Sequence, residues 1–240
     1  MSGLVTTFGE RPCWLQLGSS QQTLLKYLAI ALMLLDHANS ILWDSQPLLY
    51  TLGRLSFPLF AFLIAYNVAV RGVKPWLYAF PLLFFGILSQ GPAILALGRD
   101  PFPLNIFFTL LLGIAYRPLR SWYAATLPAG RVAEAANWLL STLLFFLLSL
   151  PLEYGPAGVF LIPLMVLFLQ RPSCAAGLEV LILLLLINGL TWPSLAAWLV
   201  VPLITGVQTL KLPDLPRLKW VFYGFYPLHL LSLWLLNLIL

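Results

Sequence analysis

The chain has 240 residues, 61% of them hydrophobic and only 9% charged, with a mean hydropathy of +0.93. A soluble domain carries about 25% charged residues, so the composition excludes an ordinary water-soluble globular protein. The net charge of +5 comes from thirteen basic residues dispersed along the chain, which form no basic stripe and exclude nucleic acid as a partner.

Residues 1–22 are mixed in character and lack the charged start and short apolar core of a cleaved signal. They are read as a cytoplasmic N-terminal segment ahead of a single transmembrane domain, 23–240. Within that domain, apolar windows between loop signals predict about nine spans. They fall near 23–43, 52–70, 76–97, 104–117, 134–150, 156–170, 175–190, 192–209 and 219–239. Only Thr191-Trp192-Pro193 separates the seventh from the eighth, as a hairpin or a break in one element, so eight to ten spans are allowed. The predicted fold is an all-α polytopic integral membrane bundle, because helices pair every backbone group internally in lipid. The longest loop, 118–133, is too short to fold alone, which confines any chemistry to the bundle and its two mouths.

Lys and Arg set the orientation, since basic loops stay in the cytoplasm. Arg71 and Lys74 follow span two, and Arg117, Arg120 and Arg131 follow span four. Arg171 follows span six, while Lys211, Arg217 and Lys219 follow span eight. The alternate loops hold Asp44, Arg99 with Asp100, and Glu153. This places the N-terminus in the cytoplasm and, with nine spans, the C-terminus outside. Cys13 and Cys174 then both lie on the cytoplasmic side, as unpaired structural thiols.

Ionisable groups inside a span cost several kcal/mol at the bilayer centre, so they face the bundle interior and mark candidate function. Lys26 and His37 are separated by eleven positions in the first span. That spacing puts them on one helix face about 16 Å apart, Lys26 at the cytoplasmic mouth and His37 beyond the midplane. His229 lies ten residues after Lys219 in the last span, which places it about 15 Å from the same side, near the depth of His37. Arg54 sits at a similar level and is expected to pair with Asp36. Asn105, Glu153 and Tyr154 approach from the outer side. Each residue also has a purely structural reading: His229 as a hydrogen-bonded packing residue, Asp36–Arg54 as an interhelical ion pair, Lys26 and Lys219 as snorkelling side chains. No H-x-x-x-H or E-x-x-H spacing is present, and no metal is expected.

A neutral histidine at mid-depth suits proton abstraction from an incoming amine or hydroxyl. Coenzyme A thioesters are cytoplasmic, and Lys26, Arg71 and Lys74 are the cations nearest the inner mouth for the phosphates of such a donor. Arg54 or Asn105 is placed to stabilise an oxyanion. Five patches carry a family resemblance: "LKYLAIALMLLDHANSILW", "GRLSFPLFAFLIAYN", "LNIFFTLLLG", "EYGPAGVFLI" and "FYGFYPLHLL". In this order they resemble the TraX family, integral membrane proteins associated with conjugative plasmids whose best-known member N-acetylates F-type pilin. The family's Asp-His pair corresponds to Asp36 and His37, and its Gly-Arg-x-x-Phe-Pro element to Gly53, Arg54, Phe57 and Pro58. Its Tyr-Gly element corresponds to Tyr154-Gly155, and its terminal Tyr-x-x-His to Tyr226 and His229. A basic residue, ten intervening positions and a His in the first span also resemble the wider acyltransferase-three superfamily, which acylates extracytoplasmic acceptors from a cytoplasmic donor.

The resemblance implies a membrane acetyltransferase in the bacterial inner (plasma) membrane, with acetyl-CoA as donor. The implied acceptor is the N-terminus of a pilin-like membrane protein. Under this expectation His37, Asp36 and His229 are catalytic, and Lys26, Arg54, Arg71 and Lys74 hold the donor. Asn105, Glu153, Tyr154 and Tyr226 meet the acceptor, and lipid surrounds the bundle. Two enzyme and non-enzyme rivals stay open: an O-acyltransferase for a lipid-linked or surface glycan, and a small proton-coupled transporter using both histidines as relays. A non-catalytic assembly chaperone for pilin is a third.

Overall fold

A computed structural model describes residues 14–43, 45–126, 130–216 and 218–240. Cys13, Asp44, Arg217 and the Lys219 side chain lie outside the described residues. Among those described, the chain is all-helical: ten α-helices and one 3-10 helix, without a strand. Four helical units are long and apolar enough to cross a membrane, Ser19–Leu42, Pro47–Ala69, Trp76–Leu97 and Arg131–Ser149, and shorter apolar helices accompany them. Polarity is inverted relative to a soluble protein. Gln22, His37, Asn39, Asn105, Thr109, Asn137 and His229 are buried, while Trp138, Leu139, Leu143 and Leu147 face outward along one helix.

The first helix, α1 (Ser19–Leu42), is dense in Leu and Ala, strong helix formers. Asn39 closes its C-terminal turn by holding the backbone of Gln46, which donates to Oδ1 at 2.8 Å and accepts from Nδ2 at 3.1 Å. The predicted second span is two helices, α2 (Pro47–Gly53) and α3 (Ser56–Ala69). The physical reason is Pro58. It has no N–H to donate to the carbonyl of Arg54, so the ladder is interrupted there and Arg54 and Leu55 form the turn between the two helices. Gly53 is required at the same place, because a Cβ on it would collide with Asp36 of α1.

α4 (Trp76–Leu97) ends on Gly98, whose φ of 58° is the left-handed cap that glycine adopts without strain. α5 (Ile106–Thr126) corrects the predicted fourth span, continuing well past 117 through Arg117 and Arg120. Most of the expected 118–133 loop is therefore helical, since α6 (Arg131–Ser149) follows. α7 (Gly155–Gln170) and α8 (Cys174–Leu186) come next, α8 capped by Ser173 Oγ, which accepts from Ala176 N at 3.1 Å. The ambiguous pair resolves into separate elements. α8 is followed by a turn at Gly189, the 3-10 helix Trp192–Leu199 and then α9 (Val200–Gln208). Ser194 Oγ holds that turn by bonding the carbonyls of Asn188 and Gly189 at 3.1 and 2.5 Å.

The last helix, α10 (Lys219–Asn237), packs chiefly on α4 and also on α1, while α7 lies against α3, α5 and α8. α1 and α3 are antiparallel: Ser56 Oγ donates to Ala29 O at 2.9 Å, and Tyr66 Oη accepts from Leu17 N at 2.7 Å. α1 and α10 are parallel, because Lys26 meets Phe222 near their starts and His37 meets His229 further along. A short parallel bridge joins Leu104 to Leu152, with Leu104 N donating to Pro151 O at 2.8 Å. It brings the approach to α5 and the approach to α7 side by side.

Candidate active site

His37 and His229 are both buried, at 7% and 5% exposure, and they meet across the α1–α10 contact. His37 Nδ1 lies 2.7 Å from His229 Nε2. The ring planes differ by 7° and the centroids are 5.0 Å apart, the geometry of two rings joined edge to edge, so the bond runs in both ring planes. His229 Nδ1 is 2.8 Å from the carbonyl oxygen of Phe225, one turn earlier on α10.

Those distances assign the protons. A carbonyl only accepts, so His229 Nδ1 carries a hydrogen and donates to Phe225 O. In the neutral ring Nε2 is then bare and accepts from His37 Nδ1–H. His37, neutral in turn, keeps an unprotonated Nε2. The order is Phe225 O, His229, His37, with a lone pair at the open end. Phe225 stacks on His229 at 4.8 Å between centroids and 9° between planes, while Tyr226 presents itself edge-on to both rings.

His37 lines a cavity of about 10 Å³, at the lower limit for a single water molecule. Asp36, His37, Ser56, Glu153, Tyr154 and Tyr226 line it, together with Gly53, Met33 and Ile106. Five of the residues singled out from sequence thus meet here, from α1, α10 and the segment before α7. Arg54 Nη2 holds Asp36 Oδ2 at 2.5 Å, the ion pair expected between α1 and the next span. Arg54 Nη1 donates to Asn188 Oδ1 at 3.4 Å, and Arg54 Cζ lies 4.3 Å from the centroid of the Tyr50 ring. The second carboxylate oxygen, Asp36 Oδ1, is buried without a hydrogen-bond partner. An acceptor atom in that condition favours an incoming N–H or O–H.

Glu153 is held by Arg99 at 2.8 Å. Burial opposes the charge on Arg99, but the neighbouring Glu153 carboxylate outweighs it, and the guanidinium pKa stands above its ordinary value. Tyr154 stacks on Phe57 at 3.8 Å and 13°, in contact across α3. A Cβ on Gly158 would collide with Tyr154, so the glycine one turn into α7 lets that ring sit over the cavity.

Other predicted residues lie elsewhere. Asn105 is engaged in structure: Nδ2 donates to Gly86 O at 2.8 Å and Gln90 Oε1 at 2.9 Å, and Oδ1 accepts from Phe107 N at 3.1 Å. It ties α4 to the start of α5 and does not line the cavity. Lys26 shares the α10-facing side of α1 with His37, its Nζ 5.6 Å from the Phe222 ring. Arg71 and Lys74 are exposed in the α3–α4 connection, with Lys74 Nζ 5.1 Å from the Trp76 ring. Among the described residues no group of three His, Cys, Asp or Glu side chains is arranged for a metal. Cys174 is free and exposed.

Sequence reasoning missed Ser56 and Thr109. Ser56 lies inside the "GRLSF" patch, three residues after Gly53, and that proximity was the available signal. Thr109 is wholly buried on α5 with Oγ1 unpartnered, and no sequence pattern distinguishes it from a packing threonine.

No curated protein and no solved structure gives a significant match to the chain. The family model described as TraX protein matches residues 21–237, a stretch holding α1 through α10 nearly whole and both histidines, and the chain belongs to the TraX family.

Proposed function

We propose that the protein is a polytopic acetyltransferase of the bacterial inner membrane. It moves an acetyl group from cytoplasmic acetyl-CoA to the N-terminal amine of a pilin-like membrane protein. Membership of the TraX family supports a role in pilin acetylation. The observation that carries the reading is the hydrogen-bonded order Phe225, His229, His37, which leaves Nε2 bare on a histidine that lines one cavity with Asp36 and Glu153. In this role His37 is the catalytic base and His229 a positioning residue that sets its tautomer.

The acceptor enters as a neutral amine, oriented by Asp36 Oδ1 and Glu153. Its nitrogen attacks the thioester carbonyl carbon, and a C–N bond forms. His37 Nε2 takes the proton lost by nitrogen. The tetrahedral oxyanion accepts from the phenols of Tyr154 and Tyr226, which line the cavity with Ser56, whose hydroxyl already donates to Ala29 O. Collapse breaks the C–S bond, and the proton on His37 passes to the departing thiolate, giving free coenzyme A and the acetylated amine. Two carboxylates favour an amine over a sugar hydroxyl, since the N–H groups of a neutral amine can donate to both while its lone pair faces the thioester.

Nine spans with a cytoplasmic N-terminus and an outer C-terminus fit the parallel course of α1 and α10, which an odd number of crossings requires. The outward rows of Trp, Leu and Phe suit contact with lipid. The test is His37→Ala in cells that also express a candidate pilin, followed by mass analysis of pilin N-termini and of surface glycans. Loss of pilin acetylation with the variant still folded in the membrane is the expected result. Retained acetylation refutes the role of His37, and a change confined to glycans refutes the amine acceptor.

A further inference from the structure

A second cavity, of about 190 Å³, opens at the far ends of α3, α5 and α7, whose near ends border the His37 site. Val68 of α3, Gly113 and Arg117 of α5, Ile162 and Gln170 of α7, and Pro75 at the start of α4 are among its walls. Val68 and Pro75 flank the Arg71–Lys74 segment, so that basic connection lies at the cavity's mouth. Arg117 Nη1 donates to Gln170 Oε1 at 3.0 Å. The charges that act on Arg117 belong to Arg120 and Arg171, both positive. Arg120 Nε is buried and has no hydrogen-bond partner.

Three guanidinium groups gathered without a neutralising carboxylate acting on Arg117 repel one another, and an anion between them removes that cost. Their planar forks match phosphate oxygens two at a time. The cavity is smaller than the roughly 300–1,000 Å³ of a site that encloses a whole ligand, so it suits one charged portion of a larger molecule.

Helix register connects it to the base. On α5, Ile106 lines the upper cavity and Gly113 and Arg117 the lower, with Thr109 between them. Steps of three and four keep all four on one face, and Ile106 to Gly113 spans about 10 Å. On α7, Tyr154 to Ile162 covers about 12 Å. The unpartnered hydroxyl of Thr109 sits on this seam. At Gly113 α5 and α7 are in close contact, since a Cβ on it would come within 2.8 Å of Ile162 Cδ1 and Val159 O, so the helices must part there for an arm to pass.

We infer that Arg117, Arg120 and Arg171 bind the phosphates of a nucleotide-bearing acyl donor, whose thin arm runs along the α3–α5–α7 seam toward His37. This rests on the acyl-transfer reading and moves the donor's anchor away from Lys26 on the α1–α10 side. Phosphate could equally be offered by an anionic lipid headgroup, and the test separates the two sources.

The full chain is reconstituted in neutral-lipid nanodiscs and titrated with adenosine 3′,5′-bisphosphate, a probe that carries phosphates and base but no thioester. Arg117→Gln and Arg171→Gln, both at exposed positions, are each expected to weaken binding about tenfold or more, with Arg117→Lys intermediate. His37→Ala is expected to bind the probe as the wild type does. Absence of probe binding by the wild type, or binding indifferent to the Arg117 and Arg171 substitutions, overturns the site. Displacement of the probe by a small fraction of phosphatidylglycerol, with phosphatidylglycerol binding alone sensitive to the arginines, assigns the cluster to lipid and also overturns it. Acetyl transfer by the wild type, measured alongside, shows whether the underlying acyl-transfer reading stands when the site does not.

Discussion

His229→Phe isolates the tautomer argument. Phenylalanine keeps a flat ring against Phe225 but removes the acceptor for His37 Nδ1–H. The lost bond is short at 2.7 Å, lies in the ring planes and joins residues at 7% and 5% exposure. Water is therefore poorly placed to replace it, and an unsatisfied buried donor costs about 1–3 kcal/mol. Transmitted to the step in which His37 accepts a proton, that is a fall of about 5- to 150-fold in kcat. Removing the base itself, as in His37→Ala, is expected to cost about 10²–10⁴-fold. His229→Gln offers Oε1 near the vacated Nε2 position and should recover most of the loss. The assay is acetyl transfer to an N-terminal pilin peptide in proteoliposomes, with kcat and donor KM measured separately. A fall in kcat at unchanged donor KM, with recovery in the Gln variant, is the expected pattern. Activity of His229→Phe within about twofold of wild type, or a change confined to KM, refutes the positioning role.

Arg54→Met leaves Asp36 buried without its cation and is expected to destabilise by about 3 kcal/mol, near the lower bound for breaking a buried pair because both side chains retain 13–17% exposure. Adding Asp36→Leu should restore thermal stability in detergent while acetyl transfer stays low, whereas full recovery of activity would show the pair to be purely structural. Gly53→Ala drives a methyl group into Asp36 and should cost about 1–3 kcal/mol in the same thermal assay. Unaltered melting would mean that α2 shifts freely against α1. Gly113→Ala meets a side chain and a backbone carbonyl and should destabilise by a similar 1–3 kcal/mol or so, with a larger loss of donor-dependent activity than of stability if the seam is used.

The shared side of Lys26 and His37 was legible because helical periodicity converts spacing directly into direction, and both indeed face α10. The common depth of the two histidines was legible from rise per residue. What spacing could not supply was their mutual bond, which depends on the angular settings of α1 and α10 together. The break between α2 and α3 was hidden inside an apolar run, although Pro58 four residues after Arg54 carried its cause. α5 reads as ending near Arg117 because charge interrupts hydropathy, yet backbone hydrogen bonding continues through charged side chains at a helix end. The same residues explain why the arginine cluster escaped notice: Arg117, Arg120 and Arg171 mark loop orientation in sequence, and only packing of α5 on α7 gathers them. Asn105 illustrates the reverse, a polar residue whose position suggested chemistry and whose amide is consumed in joining two helices.

The histidine relay ends on an uncharged oxygen, Phe225 O, rather than on a carboxylate. On the proposed mechanism it therefore supplies direction without a counter-ion. When His37 Nε2 picks up a proton, the existing bond to His229 needs no rearrangement, since Nδ1–H was already the donor. A second proton has nowhere to go, because His229 Nε2 is occupied as an acceptor and its Nδ1 is already protonated. The pair has a capacity of one. A device built this way works as a courier for a single proton within one catalytic step.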